Sequence, residues 1–265
     1  MTTHLTTQSP VHPSTAHDSR AVGRGRRAAL VVTGVLACAI PTVFAVNITR
    51  MLVTGVESEH RFHQLTGQGE ILFALWLLPI LALLRAGWHG QRPSTAAGWA
   101  HLALFVAGAG CAAAATGGGA PILVAVIGVA GALLWASLPL RPRLRATIQV
   151  DPLLMPVALA ACAVLLPYAV DQVALQNAST TGDHATNPHH FDMAWIAVVL
   201  AAYALLAGLL PAARVLAAGI AAAMVVLGSA GLALGESTPW ALSVLVCGVF
   251  AAAASVVVRR RAPRN

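Results

Sequence analysis

The chain has 265 residues, 58% of them apolar and only 9% charged, with a mean hydropathy of +0.76. Soluble domains carry charge on about a quarter of their residues, so this composition excludes an ordinary soluble domain and a disordered chain, and four cysteines are too few for a disulfide-stapled scaffold. The formal net charge of +7 invites a nucleic-acid partner, a reading that depends on where the charges fall.

Residues 1-26 open the chain with a stretch rich in Thr, Ser, His and Pro, which reads as a disordered cytoplasmic tail. A bilayer core calls for about 20 apolar residues per helix, and eight such runs follow, near 28-46, 71-88, 97-117, 120-140, 148-170, 193-210, 215-234 and 240-258. The sequence therefore predicts an all-α integral membrane protein of eight transmembrane helices. Arg24-Gly25-Arg26-Arg27 ahead of an apolar run to Ala37-Cys38 imitates a lipoprotein signal. Bulky Leu36 and the continuation of the run to Val46 argue that span 1 is retained.

The arginines then orient the spans, because positive residues are held on the cytoplasmic side. All sixteen basic residues are arginine, a bias in keeping with a GC-rich bacterial genome. In an eight-span arrangement one face takes 14 arginines against Asp18 and Asp151, a net +12, and the other takes Arg50 and Arg61 against seven acids, a net −5. The positive charge is thus a topology signal and not a nucleic-acid surface. The expectation is a multi-pass protein of a bacterial inner (plasma) membrane, with the bilayer as its first partner and both termini cytoplasmic.

At an offset of 124 residues, Ala37-Cys38-Ala39 pairs with Ala161-Cys162-Ala163, Phe44-Ala45-Val46-Asn47 with Tyr168-Ala169-Val170-Asp171, and Glu59-His60 with Asp183-His184. These matches predict two parallel four-helix repeats, 27-145 and 146-258, followed by a basic cytoplasmic tail at 259-265. Spans 2 and 6 become counterparts, as do the two outer loops at 47-70 and 171-192.

Five of the ten histidines fall in those two loops. With Ser58 as an N-cap, His60 and His63 would lie three apart on one face of the start of span 2. Asn187-Pro188 reads as an N-cap followed by proline at the first helical position, placing His189 and His190 in the first turn of span 6. The candidate metal ligands are Glu57, Glu59, His60, His63, Asp183, His184, His190 and Asp192, and the candidate cofactor-binding histidines are His60, His63, His184, His189 and His190. Imidazole and carboxylate donors suit zinc or copper, and paired histidines suit axial ligation of haem. The alternative is that these are polar loop residues that cap helices near the headgroups. His101, near the cytoplasmic end of span 3, reads as an interfacial or hydrogen-bonded helix residue.

Glu57-Ser58-Glu59-His60-Arg61 matches the Glu-x-x-His-Arg pattern at the outer end of span 2 in haem A synthases, which the chain resembles also in having eight spans in two halves. That resemblance implies haem held by histidines on spans 4, 6 and 8, whereas spans 4 and 8 of this chain contain none. The run Asp171-Gln172-Val173-Ala174-Leu175-Gln176 ahead of a His-rich loop is similar to that of other multispan membrane proteins of high-GC bacteria, a likeness that implies no activity. A small-molecule transporter is the competing function class. Its usual mark, an ionisable group at mid-membrane, is missing from the centres of the spans. No catalytic set emerges, and the small-residue-rich spans leave room for a homo-oligomer or a membrane partner.

Overall fold

The computed structural model describes residues 22–55, 61–66, 70–145 and 147–261. The first part of the N-terminal tail, Glu57, Glu59 and His60, and with them all of the Glu-x-x-His-Arg motif but Arg61, and the last residues of the basic tail lie outside these. Among the described residues the chain forms ten α-helices. Eight are long and apolar enough to cross a membrane: α1 (Arg24–Thr54), α3 (Glu70–Trp88), α4 (Thr95–Ala114), α5 (Ala120–Ser137), α6 (Leu154–Ala178), α8 (His189–Leu209), α9 (Leu216–Leu234) and α10 (Thr238–Arg261). Two short ones, α2 (Arg61–Leu65) and α7 (Asp183–Thr186), stand between spans. The protein is an all-α, multi-pass membrane protein.

The span limits differ from the sequence expectation where polarity and helix geometry part company. Hydropathy ends spans 1 and 5 at Val46 and Val170, yet α1 runs on to Thr54 and α6 to Ala178. Leaving hydrocarbon does not interrupt a backbone ladder. It ends only at Gly55, whose φ of 102° a side chain disfavours, and in the Ser179–Gly182 turn. The predicted outer loops are therefore helical over their first two turns. Conversely, α6 starts at Leu154 and not near 148, because the Asp151 carboxylate accepts from the Leu153 and Leu154 amides and caps the helix there.

In each half the helices pack in a ring. α1 lies against α3 and α5, and α4 against the same two; α6 lies against α8 and α10, and α9 against the same two. The halves meet chiefly through α4 and α8. The indole of Trp195 on α8 donates to the Leu104 carbonyl, and the Tyr203 hydroxyl to that of Ala100, both at 2.9 Å. α8 is the hub, and Phe191, Met193, Ile196, Val199 and Leu200 on it are fully enclosed. By contrast Val35, Val43, Val106, Leu133, Val249 and Phe250 point outward from other helices, as lipid-facing residues must.

The two ends of the bundle differ in chemistry. At one, Arg26 donates to the Leu138 carbonyl, Arg92 to that of Arg141, and Arg214 pairs with Asp151 at 3.3 Å. The linker joining the halves runs along this end, its Gln149 and Asp151 amides donating to the Leu209 and Gly208 carbonyls at the end of α8. The other end carries His63, His184, His189 and His190.

Candidate functional site

The site is built on α8 because the hub helix begins there. Its first residue, His189, follows Pro188, which occupies the cap position itself, one residue later than the sequence reading placed the cap. Both His189 and His190 nonetheless lie in the first turn, as expected. The segment is located by Gly118, at φ 62° in the α4–α5 turn, where a Cβ would meet the backbone of Asn187 and Pro188 at 2.8 Å. Glycine at this position lets the α4–α5 turn press directly on the segment that starts α8.

The extension of α6 supplies a second set of supports. Gln176, almost fully buried, donates through Nε2 to the His184 carbonyl at 2.8 Å and accepts at Oε1 from the Phe191 amide at 3.2 Å. One turn earlier, Gln172 Oε1 lies 2.8 Å from His190 Nδ1. With the Gln172 oxygen facing the ring, this bond is made by the His190 tautomer protonated on Nδ1, which keeps its lone pair on Nε2. Two glutamines at i and i+4 thus hold α7, the loop after it and the first turn of α8 as one unit.

His63 arrives from the other half. It sits on α2, a separate short helix and not the first turn of span 2 as the spacing predicts, and α2 rests on α8 and α9 as well as on its own neighbours. Phe62 anchors it, buried at 3% exposure and edge-on to Trp240 of α10 with ring centroids 6.2 Å apart. Thr66 closes the short helix by donating to the Phe62 carbonyl at 2.7 Å, and its hydroxyl lies 3.2 Å from Met193 Sδ. Trp240 in turn stacks on Tyr168, centroids 4.1 Å apart. Burial at this rim raises the Glu236 carboxyl above the ordinary carboxylate range.

These supports bring His63, His184 and His189 together, with one ring nitrogen from each lying within 4.8 Å of the others. His190 joins as a fourth ring, stacked on His184 at 4.6 Å and edge-on to His63 at 5.3 Å. Imidazoles sharing a zinc ion at about 2.0–2.1 Å each have nitrogens about 3.3 Å apart, so modest side-chain rotations close the set around one ion. Of the other sequence candidates, Glu57, Glu59, His60 and the Asp183 side chain lie outside the described residues. Asp192, in the first turn of α8 where a carboxylate complements the positive helix end, lines a small cavity with Ile40, Phe44, Trp76 and Trp195. His101 is buried, stacked on Trp135 and hydrogen-bonded to the Gly131 backbone.

Sequence reasoning missed the supports. Gln172 and Gln176 carried a signal, a polar i, i+4 pair continuing an apolar helix; Phe62 and Trp240 carried none, since an aromatic residue near a membrane surface is ordinary. The chain matches no protein-family model, no curated protein and no solved structure.

Proposed function

We propose that this protein binds one zinc or copper ion at the outer surface of a bacterial inner membrane, through His63, His184 and His189, and presents it with a fourth coordination position open. The observation that carries the reading is the convergence of three imidazoles from three separate elements, α2, α7 and α8, within 4.8 Å. Three protein ligands with an open position is the arrangement that leaves a metal able to take water or an incoming ligand, which fits capture and hand-over of an ion better than a closed structural site. The His190 ring, its proton committed to Gln172, stands beside the set with a free Nε2 lone pair.

Compactness favours a single ion over haem. Haem held between two histidines fills the plane between them with its macrocycle, and a third imidazole nitrogen within 4.8 Å of both would lie inside that ring system. The all-nitrogen donor set, without thiolate or thioether, favours Zn2+ or Cu2+ over Cu+.

The arginine-rich end faces the cytoplasm in this reading and the histidine end faces outward, supported by net charges of +12 and −5 on the two faces. The matched order of helix packing in the two halves supports an internal duplication.

Protein purified without a histidine tag, from cells supplied with zinc and copper, should carry about one metal ion per chain by mass spectrometry of the digested sample. His63→Ala, His184→Ala and His189→Ala should each lose it, whereas His89→Ala, at the opposite end of α3, should retain it. Metal-free protein under these conditions would sink the reading. The orientation has its own check: Thr180→Cys should react with a membrane-impermeant maleimide on spheroplasts, and protection until lysis would reverse the topology.

A further inference from the structure

At the end of the bundle opposite the histidines, two cavities share a wall. The first, about 470 Å³, is lined by Asp151, Arg214, Ser255, Arg259 and Arg261. The second, about 450 Å³, is an apolar crevice among α3, α4, α8 and α9, lined by Leu78, Pro79, Ala82, Gly219 and Ile220. Val215 and Arg259 line both, so the basic cavity and the crevice adjoin at these two side chains. From the latter's mouth at Ser94 and Leu216 it reaches inward to Leu75 and Tyr203, and along α3 the rise from Leu75 to Ala82 is about 10 Å.

The two compartments make complementary demands. Three arginines face the basic cavity against a single carboxylate, and Asp151 is already engaged in capping α6 and pairing with Arg214. Arg259 and Arg261 are exposed at the end of α10, at the level where headgroups lie. The crevice lies on the seam between the two halves, and its inner end is closed where the Tyr203 hydroxyl of α8 donates to the Leu75 carbonyl of α3 at 3.3 Å. An apolar slot open to a bilayer fills with hydrocarbon, not water. An occupant that places hydrocarbon in the slot and an anion at its mouth is a phospholipid with a net negative headgroup.

We propose that this joined cavity is a binding site for one anionic phospholipid, its phosphodiester held by Arg259 and Arg261 with Arg214 beside them, and one acyl chain lying along Gly219, Pro79 and Ala82. The lipid completes the packing between the two four-helix halves. The site is independent of the histidine cluster at the other end.

Native mass spectrometry of the detergent-purified full chain, titrated with phosphatidylglycerol or phosphatidylcholine of identical chains, tests this. One tightly retained phosphatidylglycerol is expected, bound at least tenfold better than phosphatidylcholine. Arg259→Gln with Arg261→Gln should weaken it about thirtyfold, whereas Arg24→Gln with Arg27→Gln, removing the same charge at the start of α1, should not. Gly219→Leu gives a second and independent reading. A Cβ at Gly219 meets nothing within 4 Å and leucine favours a helix, so the variant should fold and yet lose the lipid by filling the slot. Equal retention of both lipids, equal weakening by the two arginine pairs, or unchanged binding in Gly219→Leu overturns the proposal. Displacement of the lipid by millimolar inorganic phosphate also overturns it, in favour of a free-anion site.

Discussion

Gln172 and Gln176 are the residues on which the histidine site turns, because each pairs with groups in the segment from α7 to the first turn of α8. Gln176 holds a carbonyl of α7 and an amide of α8 at once. Gln176→Leu leaves the buried Phe191 amide without this partner, at about 1–3 kcal/mol, and the half-buried His184 carbonyl likewise. The expected result is a lower midpoint of thermal unfolding and faster hydrogen exchange confined to residues 183–191, with the spans unchanged. Gln172→Leu is milder in structure and more telling in chemistry. It removes the hydrogen bond that sets the His190 ring beside the three ligands, and a fall of about 10–100-fold in metal affinity would mark His190 as the ligand that fills the fourth position. Equal metal affinity in Gln172→Leu would remove His190 from the site. The glutamine pair was visible in the sequence as a polar repeat every four residues beyond the end of span 5; its targets were not, since hydrogen-bond partners 8 and 15 residues away depend on how the chain turns at Ser179–Gly182.

Among the elements, α9 and α10 approach one another most closely through glycine. A Cβ on Gly228 would meet the Leu245 amide nitrogen at 2.5 Å and the Ala241 carbonyl oxygen at 2.7 Å, and one on Gly248 the Val225 nitrogen at 2.8 Å. These are backbone atoms, which cannot swing aside. In a bilayer, where apolar surface gains nothing by leaving lipid, such close packing is what holds helices together. Gly228→Ala should therefore destabilise the protein by about 1–3 kcal/mol, read as a loss of thermal stability in detergent, although alanine is the better helix former. The small-residue richness of spans 7 and 8 was legible, and so was its structural meaning. Which glycines face the partner helix was not, because in a chain so rich in alanine and glycine several registers offer similar small faces.

For the whole molecule the consequence is that the histidine set bridges the two halves. His63 belongs to the first half and reaches the second only because Phe62 docks against Trp240, whereas His184 and His189 belong to the second. The set is also asymmetric: the position 124 residues on from His63 is Asn187, so the ligands do not come from matched places in the two halves. A metal bound across the seam favours the assembled state over any state in which the halves have separated. At a hundredfold excess over its Kd, zinc should add about 2.7 kcal/mol of stability, seen as a raised midpoint in a thermal shift measured in detergent. Phe62→Ala should abolish that increment without removing a ligand, since α2 loses its anchor; an intact zinc-dependent shift in this variant would mean that α2 is not needed to deliver His63.

The sequence by itself determined the all-α class, the eight spans and the gathering of histidines into two segments between them. Each of these is set by local chemistry: the length of apolar runs against a hydrocarbon thickness, and where polar residues interrupt those runs. Tertiary structure alone decided that the first and fifth helices rise two turns beyond the apolar core, that α2 crosses to the other half, and that three histidines converge while Asp192 lines a cavity with Phe44 and Trp195. Those outcomes depend on contacts that range from Gln176 with His184, 8 positions apart, to Phe62 with Trp240 on the last helix, and hydropathy, which sorts residues between water and lipid, carries no information about which of them meet.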